Sequence, residues 1–166
     1  MLRVFEAFAG YGSQSIALRN LGIEHEVVAI SEIDKYAIKA YEAIHGPTNN
    51  LGDICKINPS DIPDHDLFTY SFPCQDLSVA GKQAGLGKGT RSGLLYECEK
   101  IIEAKKPKYL LLENVKNLVG KKFKPQFDEW LDYLESLGYT NYWQVLNAKN
   151  YGVPQNRERV FVVSIL

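Results

Sequence analysis

Six short apolar runs, separated by helix-like or polar stretches, constrain this chain more than any other feature. They are "LRVFEAF" (2–8), "EVVAI" (26–30), "DLFTYSF" (66–72), "KYLLL" (108–112), "YWQVL" (142–146) and "RVFVVSI" (159–165). Runs of this length, rich in β-branched and aromatic residues, suit strands buried on both faces of a sheet. Between them, "SQSIALRNLG" predicts a helix opening on Ser13 and closing at Gly22. "DKYAIKAYEAIHG" predicts one capped by Asp34 and ended near Gly46. "LLYECEKIIEAKK" and "FDEWLDYLESLG" repeat the helical pattern. Alternating strands and helices predict an α/β fold: a mostly parallel sheet with helices on both faces. No linker, repeat or low-complexity tract interrupts the 166 residues, so 1–166 reads as a single domain.

The residues just after each strand are more informative than the strands themselves. The first run leads into "AGYGSQ", the second into "SEID", the third into "PCQ" and the fourth into "ENV". In an open parallel sheet the carboxyl ends of the strands share one edge, and ligands bind there. Four separate polar motifs therefore converge on one crevice.

Charge adds an asymmetry. Residues 1–80 hold 5 Lys and Arg against 11 Asp and Glu, whereas residues 81–166 hold 14 against 9. A basic half on a nearly neutral chain suits a single face that meets a polyanion, and solvated surface charge explains it equally well. No run is long enough to cross a membrane, and "MLRVFEAFAG" lacks the features of a signal peptide. Cys55, Cys74 and Cys98 are odd in number and lack metal-ligand spacing. They read as reduced thiols of a cytoplasmic protein, with no metal site. His25, His45 and His65 are scattered, which suits surface or satisfied polar roles.

Each motif has a chemistry. In "FAGYGSQ" (8–14), Gly10 and Gly12 allow a sharp turn and close approach of the backbone to a ligand, and the helix after them offers free N–H groups. Ser15 stands where a dinucleotide fingerprint needs its third glycine. Glu32, 20 residues beyond Gly12, suits a carboxylate that accepts both ribose hydroxyls. Asp53 suits an adenine amino group, and Phe8, Ile33 and Ile54 suit its ring, though each alone also fits core or turn. "GKQAGLGKGT" (81–90) is no phosphate loop, because five residues separate Gly81 from Gly87 and Lys88 precedes Gly89. Its glycines suit a mobile lid or a plain surface loop. Cys74 comes after Pro73 at the ligand edge, an unusual setting for a merely buried thiol. Glu113 ends an apolar strand, where burial would raise its pKa and let it hold a proton. Arg157 and Arg159 alternate at a strand start and so share one face.

Taken in order, "FAGYGSQ", "SEIDKYA", "GDI", "SFPCQDLSVAGKQAG", "LLLENVKNL" and "YGVPQNRERVFVV" resemble the motifs of the DNA cytosine-5 methyltransferases over essentially the whole chain. The resemblance implies a Rossmann-like fold that binds S-adenosyl-L-methionine, with Phe8, Gly10, Tyr11, Gly12, Glu32, Ile33, Asp53, Ile54, Pro73 and Leu94 around it. It implies Cys74 as nucleophile, Glu113 and Asn114 as holders of the target cytosine, and Arg157 and Arg159 as helpers at the base. Double-stranded DNA is the implied partner, in a bacterial or phage-encoded setting such as restriction–modification. Chemistry on a base requires flipping it from the stack, so the segment 76–93 is expected to close over it.

Two departures stand out. Gly12-Ser13 replaces the family's second glycine pair. The family also continues beyond "FVVSIL" with a target-recognition region and a final helix that packs back on the catalytic domain. The expectation is one half of a split enzyme that needs a second protein chain; a truncated relic or an excised fragment competes with it. Other readings are a tRNA cytosine-5 methyltransferase and a non-catalytic regulatory module. A nicotinamide-dependent oxidoreductase would leave "PCQ", "ENV" and "RER" unexplained.

Overall fold

A computed structural model describes residues 1–73 and 94–166. Its six strands are β1 (Leu2–Ala7), β2 (His25–Ser31), β3 (Leu67–Tyr70), β4 (Tyr109–Val115), β5 (Thr140–Asn147) and β6 (Glu158–Ile165). They form one sheet in the order β2-β1-β3-β4-β6-β5. β2, β1, β3 and β4 run parallel, and β6 lies antiparallel to both β4 and β5. The sheet is thus mostly parallel, with one reversed strand.

Helices cover both faces. α3 (Leu95–Lys105) and α4 (Lys124–Ser136) pack Cys98, Ile101, Phe127, Trp130 and Leu134 against Phe5, Phe68, Leu110, Leu112, Val160 and Val162 to form the main core. α1 (Ser13–Asn20) and α2 (Lys35–His45) lie on the other face, where Tyr41 joins Ala9 and Ile30 in a second small cluster. The helix starts obey local chemistry. Asp34 caps α2 by accepting from Tyr36 N and Ala37 N, both at 2.8 Å. α1 has no side-chain cap and instead begins after Gly12, whose φ of 77° makes the turn out of β1.

Burial differs from the expected two-sided pattern beyond β3. β3 is buried along its whole length, but β4 alternates, with Leu110, Leu112 and Asn114 inside and Tyr109, Leu111 and Glu113 half-covered. β5 is an edge strand, and Tyr142 and Trp143 are exposed. The reason is coverage: α3 and α4 lie over one face of β4-β6-β5, whereas α1 and α2 stop short on the other.

Candidate active site

The carboxyl ends of β1, β3 and β4 and the start of β6 meet at a cleft of about 670 Å³. Its floor is the sheet face at Leu67, Leu111 and Phe161, and one wall is α1 with Leu18 and Leu21. Of the residues singled out from sequence, Phe8, Gly10, Tyr11, Glu113, Arg157 and Arg159 all line it.

The glycine turn is held from several directions. Phe8 (φ 56°), Gly10 (57°) and Gly12 (77°) adopt left-handed backbone, a costly choice for Phe8 and an easy one for the glycines. Phe8 N and Ala9 N donate to Ser31 O on β2. Gly10 N donates to Glu32 Oε2 at 2.9 Å, and Glu32 Oε1 accepts from Ile33 N and Asp34 N. A carboxylate oxygen has two lone pairs, so Glu32 retains acceptor capacity after these bonds. Ile33 beside it is 72% exposed and offers an apolar surface. A Cβ on Gly10 would meet no atom of the described residues within 4 Å, so among them the loop leaves open space above it. These features fit an adenosyl cofactor: acceptors for ribose, an apolar shelf for a purine and room at the glycine. Asp53 caps the short turn Ile54–Lys56 through Cys55 N. Ile54 is buried in the main core, so it supports this region from below. Leu94 sits at the start of α3 and packs against the same core, away from the cleft lining.

At the other end of the cleft, Glu113 Oε1 lies 3.2 Å from Arg159 Nε. The two are placed by register: Val115 pairs with Arg159 and Glu113 with Phe161, so both side chains rise on the open face. Glu113 is not enclosed by its apolar neighbours. Leu110 and Leu112 face the opposite side, and the carboxylate stands in the cleft against a guanidinium. Asn114 also faces that opposite side. It is buried, donates to Phe72 O at 3.1 Å and accepts from Val115 N. It therefore tethers the chain leaving β3 to β4. Arg157 precedes β6 in the connecting loop and is exposed. Pro73 ends the described stretch after β3; Cys74 and the expected lid at 76–93 lie outside the described residues.

Several residues that organise the site carried no local signal. Asn50 accepts from Glu32 N and Gly52 N and donates to Glu32 O, joining the Glu32 turn to "GDI". Gln14 Nε2 donates to Ser71 Oγ, linking the start of α1 to the end of β3. Glu6, Tyr41 and His45 lie beneath the glycine turn. Such partners are set by tertiary pairing across tens of residues, which periodicity does not encode.

The Type II methyltransferase M2.ScrFI of Lactococcus lactis subsp. cremoris is 49% identical over all of this chain and 61% of its own length. The Type II methyltransferase M.NlaX of Neisseria lactamica is 41% identical over all of this chain and 53% of its own. The chain thus spans little more than half the length of these relatives. Among solved structures, the Dnmt2 methyltransferase of S. pombe superposes with a TM-score of 0.79 at 24% identity, over all of this chain and 49% of that one, a likeness of fold. The family model for C-5 cytosine-specific DNA methylases matches residues 2–166. By its motifs, the geometry of its cleft and that match, the chain belongs to the C-5 cytosine-specific DNA methylase family.

Proposed function

We propose that this chain carries the cofactor-binding and catalytic part of a DNA (cytosine-5)-methyltransferase that moves a methyl group from S-adenosyl-L-methionine to C5 of a flipped cytosine. The observation that carries the reading is the Glu113–Arg159 pair, facing the glycine turn across one cleft, with β3 leading from that cleft toward Cys74. Gly10, Glu32, Ile33 and Asp53 would hold the cofactor, which supplies an electrophilic methyl on a sulfonium sulfur.

The rest is the work of this chain. Carbon 5 of cytosine is a weak nucleophile. The Cys74 thiolate bonds to C6, and the C5=C6 electron pair becomes available at C5 as an enamine. Glu113, bringing a proton to N3, and Arg159, donating to O2, stabilise the negative charge that develops on the ring. The ring's C5 takes the methyl, the C5 proton leaves to water, and the C6–Sγ bond breaks to return its electron pair to Cys74. Asn114 supports this by fixing Phe72, two residues before the nucleophile.

Because the matched relatives are longer than this chain, we assign recognition of the DNA sequence and closure of the open sheet face to their further length or to a partner. The half-covered Leu111 and Phe161, with exposed Val163, Ile165 and Leu21 nearby, form an apolar surface that suits a further cover. A second protein chain or further length of the same one supplies that cover, and the subunit masses of the native enzyme distinguish them.

The test is covalent trapping. The complete enzyme with S-adenosyl-L-methionine and duplex DNA containing 5-fluorocytosine should give a protein–DNA adduct, lost in Cys74→Ser. Absence of adduct from the wild type, or an adduct retained by Cys74→Ser, would refute the mechanism. Methyl incorporation into tRNA but not duplex DNA would overturn the substrate.

A further inference from the structure

Beneath the glycine turn lies a carboxylate that the proposed chemistry does not use. Glu6, on β1, is fully buried. Its Oε1 accepts from Ser15 N at 3.2 Å and Ser15 Oγ at 3.0 Å, in the first turn of α1. Its Oε2 accepts from the Tyr41 hydroxyl at 2.6 Å, on α2. A buried carboxylate is costly unless its oxygens are satisfied, and here donors on two helices satisfy them. Burial, with Glu6 beside it, pushes the Tyr41 phenol well above its ordinary range, so it remains a donor.

The connection then continues upward. The Tyr41 and His45 rings are 4.4 Å apart, and His45 Nε2 lies 3.0 Å from Tyr11 O. A carbonyl oxygen can only accept, so Nε2 carries the proton and donates. Gly12 sits directly on these two rings: a Cβ there would stand 2.7 Å from Tyr41 Cε2 and would clash with His45 Nε2. The loop from Gly10 to Gly12 is thus gripped from just beyond β2 by Glu32 on Gly10 N, and from α2 by His45 on Tyr11 O and by the ring surface under Gly12.

We infer that Tyr41 and His45 are positioning residues for the cofactor loop. Anchored through Glu6, they fix the height and tilt of Tyr11 and Gly12, and with them the affinity for the adenosyl cofactor, without touching it. The inference rests on the cofactor reading above. Its logic is preorganisation: a loop held in its binding conformation before the ligand arrives loses less freedom when the ligand binds.

The test is the steady-state kinetics of the complete enzyme carrying His45→Phe or His45→Gln. Phenylalanine keeps a ring against Tyr41 and Gly12 but removes the donor to Tyr11 O; glutamine restores a donor. One lost hydrogen bond should raise KM for S-adenosyl-L-methionine roughly three- to ten-fold. The expectation is that kcat and KM for DNA stay within about two-fold and that His45→Gln recovers most of the loss. Tyr41→Phe, which strands Glu6 Oε2, should move the same KM in the same direction. Unchanged KM for the cofactor in His45→Phe would overturn the inference while leaving the cofactor reading intact. A fall in Tm with parallel losses in every kinetic constant, not recovered by glutamine, would mark a purely structural role and overturn it too. Failure of the wild-type enzyme to bind S-adenosyl-L-methionine would overturn the cofactor reading and this inference with it.

Discussion

Replacing Gly10 and Gly12 in turn by alanine separates what each glycine does, because the two share a backbone conformation and differ in their surroundings. Both have φ in the left-handed region, 57° and 77°. Alanine in that region costs about 1–2 kcal/mol at either position. Above Gly10 none of the described residues lies within 4 Å, so among them that cost is the whole of it. At Gly12 the new methyl would lie 2.7 Å from Tyr41 Cε2 and 3.0 Å from His45 Cδ2. His45 is only partly buried and can swing aside, but Tyr41 is fully buried and held by Glu6 at 2.6 Å. Overpacking against a ring that cannot retreat adds about 1–3 kcal/mol. The totals are roughly 1–2 kcal/mol for Gly10→Ala and about 2–5 kcal/mol for Gly12→Ala. In a domain of this size, each kcal/mol lowers Tm by about 2–4 °C. Thermal unfolding monitored by circular dichroism should therefore show a clearly larger drop for Gly12→Ala. Binding should rank the other way, with Gly10→Ala weakening cofactor binding by more than its small stability loss explains, since its methyl enters the space the ligand needs. Equal destabilisation by the two single substitutions would refute the close packing of α2 beneath the turn.

Three more outcomes depend on particular groups. Arg159→Ala should change stability by no more than about 1 kcal/mol, because the pair with Glu113 is partly solvated, yet lower kcat by about 10²-fold or more as transition-state charge loses a partner. Single-turnover methyl transfer and urea unfolding check the two halves. Brief alkylation at neutral pH, read by mass spectrometry, should modify Cys74 well before the other thiols: burial holds Cys98 well above its ordinary pKa, and desolvation, then the Asp53 carboxylate, raises Cys55. His65 is buried against Phe5 and Phe68, and burial lowers its pKa from 6.5, so the neutral ring is favoured in the folded state. That contribution is complete above about pH 6.5 and is lost as pH falls through the window beneath it, where the unfolded chain binds the extra proton. His65→Phe should flatten the stability–pH slope in that window, and an unchanged slope would rule out the buried ring as its source.

The layout of strands and helices was legible because local rules governed it. Asp34 and Gly46 bound α2 as the sequence suggests, and Gly12 makes the turn out of β1. The cleft residues Gly10, Glu113 and Arg159 were legible because each ends, succeeds or opens a strand, so topology alone brings them to one edge. The support beneath them was not. Tyr41 reads as an ordinary apolar-face residue of a helix, and nothing local tells that its hydroxyl meets Glu6, 35 positions earlier. The half-bare faces of β4 and β5 were missed for a related reason. Apolar runs report what a strand can bury, and burial also needs a cover, which the four described helices supply on one side only there.

The direction of β6 shows how one topological choice decides whether the site exists. Period-2 alternation is the same whichever way a strand runs, so "RVFVVSI" alone carries no direction. An eight-residue strand spans about 26 Å, so a parallel β6 would leave Arg159 near the far edge of the sheet, out of reach of Glu113. The information lies instead in the connection. Only residues 148–157 separate β5 from β6, with Gly152 at φ 81° and a 3-10 turn at Ala148–Tyr151. A parallel return needs a crossover of a dozen or more residues, usually a helix, and this loop is too short and too rich in turn residues for one. It folds back instead, closed by Ala148 N on Arg157 O and Arg157 N on Asn147 Oδ1. The antiparallel return then fixes the register in which Val115 faces Arg159 and Glu113 faces Phe161. Lengthening the loop with flexible residues should be tolerated while that register survives. A one-residue deletion within β6 itself would turn Arg159 to the buried face and separate it from Glu113.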